Sequence, residues 1–163
     1  MPKKLPDLNY LKEILSYNKI TGEFHWKVSV GSKKIGSIAG SQSNHKYMSI
    51  QINSKKYLLH RLAYLYVHGV EPIYDIDHIN GIKCDNRICN LRDVPRFVNC
   101  QNNTFARTNN ELGVRGVYFK KGLYNAQIKL KNKNKYLGCF KNIGDAENSY
   151  LEAKKKYHEG FVS

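Results

Sequence analysis

The sequence lacks any apolar stretch approaching the roughly 18 residues that a membrane-spanning helix requires. Its first ten residues, MPKKLPDLNY, lack the apolar segment of a secretory signal peptide. Cysteine is scarce as well, and four residues are too few for a disulfide-stapled secreted scaffold: Cys84, Cys89, Cys100 and Cys139. We therefore expect a chain of the reducing cytoplasm with no membrane function.

Acidic residues are also few. The 13 Asp and Glu stand against 27 Lys and Arg, which leaves a net charge of +14 and a pI near 9.6. Such a charge creates a field that attracts polyanions, so nucleic acid is the leading partner class. A basic surface that serves only solubility is the alternative that charge alone leaves open.

The order of apolar residues predicts a folded chain with mixed elements. A helical period follows the plausible N-cap Asp7 and ends before Gly22, GEFHWK is typical of a strand, and Met48 to Leu59 is typical of a β-hairpin. A second helix is predicted from about His60 to the stop at Gly69. Another helix, PRFVNCQNN, begins at Pro95.

Between the last two helices the chain becomes polar, in the run DIDHINGIKCDNRICNLRDV. Hydrolysis of a phosphodiester requires a nucleophilic water, a base and a cation that stabilises the developing charge. Carboxylate and amide oxygens suit a hard cation, and a neutral imidazole suits proton abstraction near pH 7. Asp77 and His78 are adjacent, and adjacent side chains of a strand point to opposite faces. We therefore expect the pair at the end of a strand, where Asp77 can turn to a metal and His78 to the water.

These residues resemble the HNH endonucleases, particularly the phage and intron-encoded homing enzymes. The resemblance covers roughly residues 20 to 103 and is carried by three patterns and a final helical Asn: Asp77, His78, Asn80 and Gly81; Asp85, Asn86 and Arg87; Asn90, Leu91 and Arg92; and Asn99. The run LLHRLAYLYVHG is also similar to the segment before the site in those enzymes.

The resemblance implies a ββα-metal (His-Me finger) site that binds one divalent cation, Mg2+ or alternatively Mn2+. Asp77 and Asn99 would be the metal ligands, His78 the general base, and Asn90 the residue that braces the hairpin and orients His78. We interpret His60, at the start of a buried helix, as a packing or hydrogen-bonding residue. The cysteine spacing contains no C-x-x-C pair and does not favour structural zinc.

Residues 113–163 differ in character. Three short β-type runs, GVRGVYF, YNAQIKL and KYLGCF, precede the helical run IGDAENSYLEAKKKYHEG, which predicts a three-stranded antiparallel sheet with one packed helix. No acidic residue lies between positions 112 and 144, so this surface favours phosphates. Period-2 alternation and charge indicate these candidates for DNA contact: Arg115, Tyr118, Lys120, Lys121, Tyr124, Gln127 and Lys129.

This second half also resembles the ethylene-response-factor (Apetala-type) DNA-binding domain, over about residues 113 to 161. That resemblance implies a sheet lying in the major groove of DNA.

The sequence therefore predicts an α+β protein with an HNH nuclease domain at 1–106 (ββα-metal core about 72–103), a linker at 107–112 and an ERF-like domain at 113–163. We expect a monomeric, phage-encoded DNA endonuclease of the homing or nicking type that acts in the host cytoplasm. The alternative is a non-catalytic, sequence-specific DNA-binding regulator. An RNA-binding protein is disfavoured because aromatic RNP-type strands are missing.

Overall fold

The computed structural model describes residues 4–43, 46–103, 105–106, 110–130 and 133–162. The chain divides into two compact units, Met1–Arg96 and Phe97–Ser163. Within the described ranges no helix is both long and apolar enough to span a bilayer. Among the described residues the first unit contains three small sheets and the second unit contains one, and each unit has its own buried core.

The first unit opens with helix α1, Leu8–Ile14. The Asp7 side chain accepts hydrogen bonds from two backbone N–H groups of the first turn, as predicted for an N-cap. The helix ends well before Gly22, because the next residues form strand β1 (Leu15–Tyr17), which pairs with β2 (Phe24–Trp26). The structure thus confirms the predicted short helix before Gly22, and the pairing of β1 with β2 sets its end at Ile14.

A three-stranded antiparallel sheet follows, with the strands β3 (Ser41–Gln42), β4 (Met48–Ile52) and β5 (Lys55–Leu58) in that order. The β4–β5 hairpin confirms the sequence prediction. Helix α2, Leu59–His68, starts directly after β5 and ends at Gly69, whose φ of 74° is the left-handed cap that glycine tolerates.

The core of the first unit lies where α1, α2 and the sheets meet. Helix α2 contributes four of its apolar side chains, Leu59, Leu62, Ala63 and Leu65. They pack against side chains of the other elements, chiefly Leu11, Leu15, Phe24, Trp26, Ile50 and Ile52, and against Ile76 and Leu91 of the hairpin described next. The polar hairpin is thereby anchored to the core by one residue from each of its strands.

That hairpin consists of β6 (Asp75–His78) and β7 (Leu91–Val94), which pair antiparallel. The connection between them is a long loop that closes with a 3-10 turn at Ile88–Asn90. The polar run that the sequence indicates as chemical is therefore two strands and one loop.

The second unit contains helix α3 (Arg96–Asn102) from Phe97 onward and a three-stranded sheet. The sheet has the order β10-β9-β8, from β8 (Val117–Lys120), β9 (Leu123–Leu130) and β10 (Lys133–Phe140). Helix α4, Ile143–Tyr157, packs across it and buries Ala146, Tyr150 and Ala153. This is the sheet with one packed helix that the sequence predicts.

We expected helix α3 in the first domain, but from Phe97 onward it belongs to the second unit. The Asn103 carbonyl, directly after the helix, accepts hydrogen bonds from Lys154 Nζ at 2.8 Å and Arg115 Nη1 at 2.7 Å. Gly160 lies so close to Val98 that a Cβ atom there would sit 2.2 Å from the Val98 carbonyl oxygen. Of the predicted linker at 107–112, residues 107–109 lie outside the described residues.

Candidate active site

The end of β6 carries the two residues that the sequence singles out. In the register of the hairpin, Asp77 lies opposite Arg92 and His78 lies opposite Leu91. Both Asp77 and His78 are buried, with 6% and 5% of their surface exposed. Adjacent polar residues are rarely both buried unless they are paired, so their surroundings decide what they do.

Asp77 forms an ion pair with Arg92 across the hairpin. Oδ2 of Asp77 accepts hydrogen bonds from Nε of Arg92 at 2.9 Å and from Nη2 at 2.7 Å. Both nitrogens of the guanidinium edge thus converge on one carboxylate oxygen, which balances the charge of a buried acid.

The His78 ring lies in a small aromatic cluster. The His60 ring meets it edge-on at a centroid distance of 5.1 Å, and the Tyr47 ring lies 5.9 Å away. Burial lowers the pKa of His78 below the usual value for imidazole, while the contact with Asn86 and the neighbouring carboxylates act in the opposite direction. The imidazole is therefore neutral at pH 7, the form that a general base requires.

His60 is more closely tied to the site than the sequence interpretation proposes. It is buried, and burial together with the nearby His78 lowers its pKa to about 3. Among the described residues, its Nδ1 atom has no hydrogen-bond partner. A neutral ring packed edge-on against His78 limits the rotation of that imidazole and adds no competing charge.

The loop after β6 is braced by Asn90. Its Oδ1 accepts from the Asn80 backbone N–H at 2.9 Å, and its Nδ2 donates to the Asp85 backbone carbonyl at 2.9 Å. The Asn90 carbonyl also accepts from the Ile79 N–H at 2.9 Å. The side chain and the backbone of Asn90 thus tie both ends of the loop to the hairpin.

Asn86 is a site residue whose role sequence reasoning did not assign. Its Oδ1 lies 3.4 Å from Nε2 of His78, and it is 3% exposed. The family resemblance implies that Asn90 orients His78. Both hydrogen bonds that the structure describes for the Asn90 side chain, however, go to the loop backbone. The signal for Asn86 was its place in the motif of Asp85, Asn86 and Arg87, which we interpreted only as part of the family pattern.

The first part of the chain holds Asn86 in position. The Tyr17 hydroxyl donates to the Asn86 carbonyl at 2.7 Å, and burial raises the pKa of Tyr17 to about 12. Gly22, at φ +77°, approaches the same loop so closely that a Cβ there would lie 2.5 Å from the Arg87 backbone nitrogen. Only a residue without a side chain allows this contact.

Residues 57–100 match the model of the HNH endonuclease family. The matched segment begins in β5, includes α2 and the β6–β7 hairpin, and ends within α3. It contains His60, Asp77, His78, Asn90 and Asn99. Comparison with curated proteins and with solved structures gave no match.

The family match gives the hairpin a functional meaning, because HNH endonucleases cut DNA and generally use a divalent metal ion. The match ends at residue 100, and no comparison supports the expected ERF-like family for the second unit.

The donors of the HNH segment suit a hard cation with few protein ligands. Across the described residues there is no group of three or more His, Cys, Asp or Glu that could hold a metal ion. Mg2+ is commonly bound by one or two carboxylates and completes its shell with water and substrate phosphate. Asp77 offers such a carboxylate, and the other predicted ligand, Asn99, lies half-buried on α3 in the second unit.

The sheet of the second unit has one face that α4 leaves uncovered. Register pairs Tyr118 with Asn125, Gln127 with Tyr136 and Lys129 with Asn134, and residues paired in this way share a face. Ala126 and Ile128 point to the opposite face, under α4. We call the uncovered side the outer face: Tyr118, Lys120, Asn125, Gln127, Lys129, Asn134, Tyr136 and Cys139.

Two predicted DNA-contact residues do not lie on the outer face. Tyr124 has the same strand parity as Ala126 and packs against the core beneath α4. Arg115 precedes β8, and its guanidinium donates to the Asn103 carbonyl. The assignment of Tyr124 to the DNA-facing side was wrong, whereas contact of Arg115 with DNA stays a prediction. Lys121 lies in the turn between β8 and β9 with a φ of 50°.

We expect Gly22→Ala to destabilise the chain by about 2–4 kcal/mol, since it adds a clash with the loop backbone to the strain of a positive φ. The matched control is Gly31→Ala, because Gly31 also has positive φ, +57°, but nothing lies within 4 Å of its added Cβ. The control should cost only about 1 kcal/mol. Urea unfolding measures both, and equal costs would show that Gly22 does not support the loop.

We expect Asp77 and Arg92 to be coupled by about 1–3 kcal/mol in a double-mutant cycle. Arg92→Met leaves a buried carboxylate without its counterion, whereas Asp77→Asn combined with Arg92→Met removes both charges. Unfolding is measured in chelator so that no metal contributes. A coupling below about 0.5 kcal/mol would mean that the ion pair does not stabilise the hairpin.

Proposed function

We propose that this chain is a metal-dependent endonuclease that hydrolyses phosphodiester bonds in double-stranded DNA. One observation carries the proposal: the segment that matches the HNH family places a buried, neutral His78 beside Asp77 at the end of β6. A buried imidazole and a carboxylate side by side are the base and the anionic ligand that phosphodiester hydrolysis requires.

His78 is the general base in this proposal. Asn86 Oδ1 can only accept, so the His78 tautomer that hydrogen-bonds to it carries its proton on Nε2 and its lone pair on Nδ1, and we propose this tautomer as the active form. Nδ1 then takes the proton from the attacking water, and the P–O3' bond breaks in line with the new P–O bond. The products are a 3' hydroxyl, which gains a proton from solvent, and a 5' phosphate.

Asn86 and His60 are positioning residues in this proposal, because each contacts the His78 ring. Asn90 braces the loop that carries Asn86.

Asp77 and Asn99 would hold the cation, as the HNH resemblance implies. When bound, Mg2+ or Mn2+ supplies positive charge to the phosphate oxygens and to the leaving 3' oxygen. Arg92 shares the Asp77 carboxylate, so it lowers the negative charge that this residue offers to a cation. Oxygen donors of this kind disfavour zinc, which prefers nitrogen and sulfur ligands.

We propose that the enzyme acts as a monomer of the homing or nicking type. One His78 per chain cuts one strand in each encounter. The outer face of the second unit grips the duplex, through phosphate contacts of the lysines and groove contacts of the polar side chains: Tyr118, Lys120, Lys121, Gln127 and Lys129. Arg115 and Tyr124 are not included, because they pack elsewhere in the second unit.

The second candidate function is a non-catalytic, sequence-specific DNA-binding regulator. The ion pair between Asp77 and Arg92 favours it, since the proposed metal-binding carboxylate already has a counterion. The two candidates differ in whether a bound duplex is cut.

We expect His78→Ala to slow the relaxation of supercoiled plasmid by roughly 10²–10⁴-fold, the usual contribution of a general base. Duplex affinity in chelator should stay within a few-fold of wild type, since the side chain is buried and carries no charge. The control is His68→Ala, an exposed histidine at the end of α2. If His78→Ala relaxed the plasmid at the wild-type rate, His78 would not be the general base.

We expect the double variant Lys120→Ala and Lys129→Ala to weaken duplex binding and to flatten its salt dependence. Each lost phosphate contact lowers the slope of log K against log salt by about 0.9, so the double variant should lose roughly 1.8. The matched control is Lys155→Ala with Lys156→Ala, two exposed lysines of α4 on the covered side of the sheet. Equal slopes for the two double variants would mean that the outer face is not the grip.

A further inference from the structure

The second unit contains a cleft that adjoins the outer face and shares Lys129 and Asn134 with it. Its volume is about 1040 Å³, and its walls come from α3, from the far end of the β9–β10 hairpin and from the end of α4. Helix α3 contributes Phe97 and Cys100, strand β10 contributes Lys133 and Lys135, and the end of α4 contributes Tyr157. Ligand clefts commonly measure about 300–1,000 Å³, so this one is at the upper end of that range.

Cationic side chains outnumber acidic ones along this cleft. Its lining contains four cationic side chains, Arg115, Lys129, Lys133 and Lys135, and one acidic side chain among the described residues, Glu159. Within the described ranges, none of the four cations forms an ion pair with a carboxylate. Arg115 and Lys135 instead donate hydrogen bonds to uncharged acceptors, the Asn103 carbonyl and the Tyr157 hydroxyl. The cleft therefore attracts an anion of several charges.

The remaining lining is apolar and aromatic. Phe97 is 60% exposed on α3, an unusual position for a phenylalanine without a partner surface. Leu130 and the Tyr157 ring, with Lys135 Nζ 4.3 Å from its centroid, add to this apolar surface. Cations interleaved with an exposed ring are the features by which proteins bind unpaired nucleotides, since phosphates meet the cations and a base stacks on the ring.

We propose that this cleft binds a single-stranded segment of DNA, with a base stacked on Phe97 and the backbone along Lys133 and Lys135. A duplex exposes phosphates and groove edges but keeps its base faces stacked, so it offers nothing to Phe97. The unpaired strand thus fits both the charge and the ring, whereas an acidic peptide fits the charge alone.

This inference extends the proposed nuclease function but rests on binding alone. The outer face and the cleft share Lys129 and Asn134, whereas the residues of α3 and α4, Phe97, Cys100 and Tyr157, line the cleft alone. All measurements are made in chelator, where no strand is cut. An inactive chain could therefore still bind the single strand, and an active one could fail to bind it.

The affinity test uses the full chain and a fluorescent oligothymidine of about 12 nucleotides, a length within the usual site size of single-strand binding folds. We expect Phe97→Ala to raise its dissociation constant by about 5- to 150-fold, the loss of one stacked base. Affinity for a duplex of the same length should change less than about twofold. Phe105→Ala is the matched control, since Phe105 is 75% exposed and does not line the cleft.

Charge is tested by Lys133→Glu against Lys141→Glu, two exposed lysines of which only the first lines the cleft. Only Lys133→Glu should weaken oligothymidine binding. An unchanged single-strand affinity in Phe97→Ala, or an equal loss for single strand and duplex, would overturn the proposal. Displacement of oligothymidine by polyglutamate at the same charge concentration would also overturn it, in favour of an acidic peptide.

The natural cysteines locate the bound strand. Cys100 lines the cleft, Cys139 lies on the outer face opposite Asn125, and both are exposed. Oligothymidine should slow iodoacetamide alkylation of Cys100 and leave Cys139 at its free rate, as read by mass spectrometry. Protection of Cys139 without protection of Cys100 would place the strand on the outer face and end the proposal.

Discussion

The burial of His78 at the end of β6 is the constraint on which the candidate site depends. Buried imidazole loses hydration of its charged form, so the ring stays neutral and keeps a lone pair for a proton. Two hydrophobic residues, Ile76 and Leu91, fix the hairpin to the core, and the bracing by Asn90 brings the Asn86 side chain to the ring. The proposed catalytic role of His78 therefore rests on packing as much as on the motif.

A second constraint is charge. The chain carries +14 overall, yet the candidate site buries the Asp77 carboxylate, which needs a counterion on the protein, a cation from solution, or both. Arg92 supplies the first. The surplus of lysine elsewhere provides the attraction for DNA, so the two parts of the proposed function depend on opposite local charges in one basic protein.

Much of this was accessible from the sequence. Periodicity predicted the β4–β5 hairpin, α2 with its stop at Gly69, and the sheet with one helix, because short-range patterns dictate such elements. The end of α1 at Ile14 was not fixed by helical period, because the pairing of β1 with β2 sets it. The face predicted for Tyr124 was wrong, because which face of a strand packs under the helix is set by partners distant in sequence.

The role of Asn86 was also beyond sequence reasoning, since a contact with His78 depends on how the intervening loop folds. The central claim remains that the HNH segment cuts DNA. Its most direct test is incubation of the wild-type chain with supercoiled plasmid and Mg2+, followed by treatment with DNA ligase. We expect relaxed circles that ligase reseals, the mark of 3' hydroxyl and 5' phosphate ends. Plasmid that stays supercoiled with Mg2+ and with Mn2+ would contradict the account.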